Sequence, residues 1–99
     1  MSNILDSAGH KLATIGQDGI VYNVLGVKLG RVLDNGDVHN NSGVKIGSYR
    51  GDGYVFEAGN HIGTIHSDGR IYDYETDYIG KVAGDHMQSG GAALLLLVR

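Results

Sequence analysis

The stretch GIVYNVLGVKLGRVLDNG, residues 19–36, decides the fold. It opens on an apolar-aromatic-polar triplet (Val21, Tyr22, Asn23) and turns at Gly26. It then runs through Val27, Leu29, Gly30 and Val32 and closes on Asn35-Gly36. An Asn-Gly or Asp-Gly pair between short β-rich runs is the strongest local hairpin signal, because these residues tolerate φ > 0. The stretch therefore reads as two short strands and their turns.

The same pattern continues on both sides. Asp18-Gly19, Asn35-Gly36, Asp52-Gly53 and Asp68-Gly69 recur at steps of 17, 17 and 16 residues. A second glycine series (Gly9, Gly26, Gly43, Gly59) and a third (Gly30, Gly47, Gly63, Gly80, with Ala13 in the first slot) keep the same steps. Apolar columns run in phase, notably Ile4, Val21, Val38, Val55, Ile71 and Ile15, Val32, Tyr49, Ile65, Val82. The single domain, residues 1–99, thus divides into units of about 3–19, 20–36, 37–53, 54–69 and 70–84. The tail, 85–99, aligns as a possible degenerate sixth unit, with Met87, Gly91, Leu94 and Leu97 in the expected columns; the alternative is an unrelated apolar C-terminal strand or short helical turn.

Each unit reads as a β-hairpin, and no window sustains a helical apolar period. The expected fold is all-β: five to six tandem hairpin repeats of ~17 residues in a meander. Both faces of the strands are partly apolar, so the hairpins are expected to close into a flower-like or small barrel-like pseudo-symmetric domain. If Asn35 and Gly36 form a two-residue turn, Val32 faces His39. The column Leu5, Tyr22, His39, Phe56, Tyr72 then shares a face with the mid-strand glycines, its rings lying over them.

The unit IYDYETDYIGKVAGDHM (residues 71–87), with GIVYNVLGVKLGRVLDNG and DGRIYD (residues 68–73), resembles the four-fold β-flower family. Those are small bacterial proteins whose short hairpins stand like petals round an axis. The likeness extends from about Asn3 to Met87, and this chain departs from it in having more than four units. It implies a fold and a bacterial origin, and no site.

Composition excludes several functions. Seventeen glycines in 99 residues, without proline or a three-residue period, fit neither collagen nor disorder. The absence of cysteine removes disulfides and thiolate chemistry. A net charge of −3 with dispersed Lys and Arg argues against a nucleic-acid surface. The longest apolar run, residues 92–98, is far short of the ~20 residues of a membrane span, and no secretory leader is legible. A cytoplasmic protein with no membrane association is the expectation.

Chemistry is sparse. The five histidines lack the spacing of a metal site, and no nucleophile elbow or phosphate loop is present. Asp6, Glu57 and Asp73 share a column with Asn23 and Asn40, so a ring of oxygen ligands for a cation such as calcium is conceivable. The favoured reading is that they cap their own loops. No catalytic residue and no cofactor are expected. Gly30, Gly47, Gly63, Gly80, Gly19, Gly36, Gly53 and Gly69 are assigned structural roles, and Leu94, Leu95, Leu96 and Leu97 a contact between copies. The functional expectation is a non-catalytic structural or protein-interaction module that self-associates through the C-terminal apolar run, its partner unknown; buried inside the monomer instead, that run would close the core. The alternative is a small-ligand or cation-binding protein with a site on the pseudo-axis or loop ring.

Overall fold

The computed structural model describes residues 2–98. Ten antiparallel strands follow one another round a closed barrel. They are β1 (Ser2–Asp6), β2 (Lys11–Ile15), β3 (Ile20–Asn23), β4 (Lys28–Val32), β5 (Asp37–Asn40), β6 (Lys45–Tyr49), β7 (Tyr54–Glu57), β8 (Asn60–Ile65), β9 (Arg70–Asp73) and β10 (Tyr78–Ala83). Pairing of β1 with β10, from Asn3 opposite Ala83 to Asp6 opposite Gly80, closes the ring and leaves no open edge.

The turns set the register, and they differ from the two-residue turn expected from Asn35-Gly36. Residues 33–36 form a four-residue loop in which the Gly36 N–H donates to the Leu33 carbonyl at 3.0 Å. Gly36 has φ +95°, and Asn35 is not among the residues with positive φ, so this is not a type I′ turn. The ladder consequently pairs Val32 with Val38 and Arg31 with His39. A one-residue slip sends every side chain to the other face. The buried layer is therefore Ile4, Val21, Val38, Val55 and Ile71, and the Tyr22, His39, Phe56, Tyr72 column lies outside, away from the glycines.

What covers the mid-strand glycines is the C-terminal tail. Residues 85–98 do not make a sixth hairpin: α1 (Met87–Ala93) leads into a π-helical turn, Leu94–Val98. Where a Cβ on Gly80, Gly63, Gly47 or Gly30 would lie, it meets a leucine side chain: Leu94, Leu95, Leu96 and Leu97 respectively. Four consecutive residues thus face β10, β8, β6 and β4 in turn. Alternate strands of a ten-strand ring are about 72° apart. An α-helix advances about 100° per residue, whereas a π-helix advances about 80°. The wider winding lets successive leucines keep step with successive strand pairs.

The helix fits tightly along its length. A Cβ on Gly91 would lie 2.5 Å from Ile65 Cγ1, and one on Gly90 2.8 Å from Val82 Cγ2. These two glycines cost helix propensity, about 1 kcal/mol each relative to alanine. They let α1 approach β8 and β10 closely enough to bury Ala92, Ala93 and Leu94. A sixth hairpin would have made twelve strands and left nothing to fill the middle of the ring.

Candidate functional site

The acidic column resolves into separate loops. Asp6 Oδ1 accepts the N–H groups of Ala8 at 2.9 Å and His10 at 2.8 Å. Asp73 Oδ1 accepts those of Glu75 and Asp77, both at 3.0 Å. Asn23 and Asn40 make the same pair of bonds to their own loops. Glu57 instead precedes a shorter turn through Ala58 (φ 51°) and Gly59 (φ 84°). Among the described residues no three His, Asp or Glu side chains gather as metal ligands. The structure does not assemble Asp6, Glu57 and Asp73 into one cation site.

The backbone N–H of His10, followed by that of Ala8 and the nearby imidazole, holds the Asp6 carboxyl below its usual range. A carboxylate whose folded pKa is depressed contributes stability above its unfolded pKa, and that contribution fades as pH falls through the folded value. Asp52 and Asp68 are lowered in the same way, chiefly by the N–H groups of Tyr54 and Arg70. The melting temperature is therefore expected to fall below about pH 4. Asp6→Asn, which places here the residue found at 23 and 40, should flatten that fall while leaving the melting temperature at pH 7 nearly unchanged. Parallel thermal melts from pH 7 to pH 2 read both effects.

The leucines expected at a contact between copies lie inside the barrel. Leu94, Leu95 and Leu96 are buried, and Leu97 packs against the same core. This filling also occupies the middle of the ring, where an axial ligand would sit. Gly19, Gly36, Gly53 and Gly69 mark close approaches between neighbouring hairpins. Their carbonyls accept N–H bonds from Val32, Tyr49, Ile65 and Val82 at 2.7–2.9 Å.

Several concavities open on the surface, and two of them gather histidine, hydroxyl and aromatic side chains. One, of about 530 Å³, lies where the helix enters the barrel and includes Tyr49, Asp52, His66, Asp85, His86 and Ser89. Its polar groups are tied to helix entry. Tyr49 Oη lies 3.1 Å from Ser89 Oγ, the Gln88 amide donates to the Gly51 carbonyl at 2.8 Å, and the His86 N–H donates to buried Ser2 Oγ at 3.1 Å.

The second is a trough of about 350 Å³ on the outer face of β8 and β9. Thr64, His61, His66 and Tyr72 line it, and the loop bearing Asp73, Tyr74 and Thr76 closes one end. Its rings are coupled: His66 and Tyr72 centroids lie 4.5 Å apart, Tyr72 and Tyr78 5.7 Å, and Tyr54 stacks on His61 at 4.8 Å. The Arg50 guanidinium sits 4.9 Å from the Phe56 ring centre. The trough is not legible from sequence motifs because the expected register turns the aromatic column inward. A signal was nevertheless present: six of the seven aromatic residues fall between positions 49 and 78.

No protein-family model, curated protein or solved structure matches this chain.

Proposed function

We propose that this chain is a non-catalytic interaction module, a five-petalled β-flower whose barrel is a scaffold and whose loops join it to a second copy. The five-unit reading is supported by the glycine series and by four Asx residues that cap their loops in the same manner. Self-association is carried by one observation. Val24, Leu25 and Val27 in the β3–β4 loop are 59%, 85% and 54% exposed, and Val44 in the β5–β6 loop is 57% exposed. Both loops stand at the end of the barrel towards which the helix runs.

The turn itself does not require those aliphatic residues. The corresponding loop positions are Ser7 and Ala8 after β1, and Asn41 and Ser42 after β5. Isolated exposed apolar residues are ordinary, whereas a cluster marks a contact surface. A second copy is the simplest occupant, because an isologous contact needs only this one patch. The molecule spans 29 × 29 × 20 Å, so an end-to-end contact covers at most roughly 650 Å² per copy, below a standard interface. A weak dimer follows, with a dissociation constant of about 10 μM or above.

Sedimentation velocity across a concentration series tests this. The unaltered chain should pass from monomer to dimer, and Leu25→Asp with Val27→Asp should remain monomeric at an unchanged melting temperature. A monomer up to about 1 mM, or dimers that survive the double substitution, would overturn the proposal.

A further inference from the structure

We infer that the outer trough of β8 and β9 binds a neutral saccharide, with Thr64 as its floor and Tyr72 and His61 as its walls. The site lies apart from loops 24–27 and 41–44, so the inference does not depend on self-association.

The argument starts from the rows of side chains that the ladder places on the outer face. Each even-numbered strand contributes a residue with one neighbour on either side. Round the barrel these rows read Asn3–Thr14–Tyr22, Ile20–Arg31–His39, Asp37–Ser48–Phe56, Tyr54–Thr64–Tyr72 and Arg70–Lys81–Leu5. One row alone sets a short polar side chain between two aromatic rings. His61 stacks on the first of these rings, and the trough of about 350 Å³ lies between His61 and Tyr72, within the range of small-ligand sites.

The walls are braced from outside. Tyr54 stacks against His61 at 4.8 Å, and Tyr72 packs on both Tyr78 at 5.7 Å and His66, itself part of the lining, at 4.5 Å. A preformed aromatic wall loses little entropy when a ligand covers it. The C–H face of a pyranose is apolar and slightly positive, and complements the negative face of a tyrosine ring.

The polar groups select the ligand class further. His61 Nε2 and Thr64 Oγ1 are 3.2 Å apart, and Thr76 stands at the end of the trough. Hydroxyl and neutral imidazole groups both donate and accept, and so do sugar hydroxyls. Asp73 Oδ1 receives two loop N–H bonds, which orient the carboxylate and leave lone pairs for a ligand hydroxyl. One carboxylate among two imidazoles, two threonines and two tyrosines makes a poor trap for a cation. The Arg50 guanidinium already lies over Tyr54 and Phe56 beside the trough, where it disfavours a quaternary ammonium ligand.

The test is an amide chemical-shift titration of the full chain with cellohexaose, maltohexaose, xylohexaose, mannohexaose and chitohexaose, and separately with tetramethylammonium. At least one hexaose should give saturable shifts confined to residues 61–66 and 72–76, with a dissociation constant of about 1 mM or tighter. Thr64→Val preserves shape and should weaken binding about tenfold. Tyr72→Ala should abolish it, and Tyr22→Ala, in another row, should leave it unchanged. Failure of every hexaose to shift the trough, binding indifferent to Thr64→Val, or a response to tetramethylammonium alone would overturn the inference.

Discussion

Replacing Gly47 by valine is expected to remove a large part of the stability of the fold. A Cβ at this position would lie 2.5 Å from the Phe56 carbonyl oxygen and 2.8 Å from both terminal methyls of Leu96. One neighbour is backbone and cannot step aside without breaking the β6–β7 pairing. The other is locked in the middle of the barrel by the rest of the helix. Overpacking of a dense core typically costs 1–3 kcal/mol, and a clash on two sides places this change at or above about 4 kcal/mol. A domain of this size has roughly 5–10 kcal/mol in all.

Two neighbouring substitutions calibrate the result. Gly43 has φ +81° and nothing near its missing Cβ, so Gly43→Ala should cost only the backbone strain, about 1 kcal/mol. Lys45→Ala, on the surface, should shift stability by no more than about 0.5 kcal/mol. Thermal melts should rank Gly47→Val far below Gly43→Ala, with Lys45→Ala near the unaltered chain. Equal shifts at positions 45 and 47 would mean that the glycine ring is not a packing requirement.

Placing a charge inside the ring should be as severe. Leu94 is 1% exposed and lies against Gly80, with β10 behind it. Leu94→Ala removes a buried leucine where the surrounding strands cannot collapse, a loss of about 3 kcal/mol. Leu94→Asp adds an unpaired buried carboxylate and should exceed about 5 kcal/mol, leaving the chain unfolded. Amide dispersion and far-ultraviolet circular dichroism distinguish the outcomes. A Leu94→Asp chain with intact strand signals and a lost helix would show that the barrel stands without its filling. Leu25→Asp, on an exposed loop, is the control that should fold normally.

These two changes probe the part of the fold that was least legible in advance. The hairpins were readable because their determinants are local. Asx-Gly pairs, glycines at fixed steps and alternating apolar residues act within a few positions of one another. A helical tail was the less favoured of the readings, for a physical reason. An element wrapped on all sides by a barrel must be apolar all round, so residues 92–98 show no amphipathic period. Gly90 and Gly91, poor helix formers, are there for close packing.

The candidate trough was hidden by a smaller error. Reading Asn35-Gly36 as the centre of a two-residue turn shifts the ladder by one residue and exchanges the faces. Tyr72 and Phe56 then point inward, where they would have filled the space that Leu94, Leu95, Leu96 and Leu97 occupy. Seventeen-residue periodicity constrains which residues are equivalent, and it is silent on which face each column takes.

By itself, then, the sequence determined an all-β chain of repeated hairpins, the places where the backbone turns, and the glycine positions that tolerate no side chain. Only the tertiary structure decided that β1 closes on β10, that the tail becomes the filling of the ring, and that the aromatic residues of β7–β10 face outward. Turn and strand signals depend on neighbours in the chain. Closure, filling and face depend on residues tens of positions apart, and their energies exist only once the ring has formed.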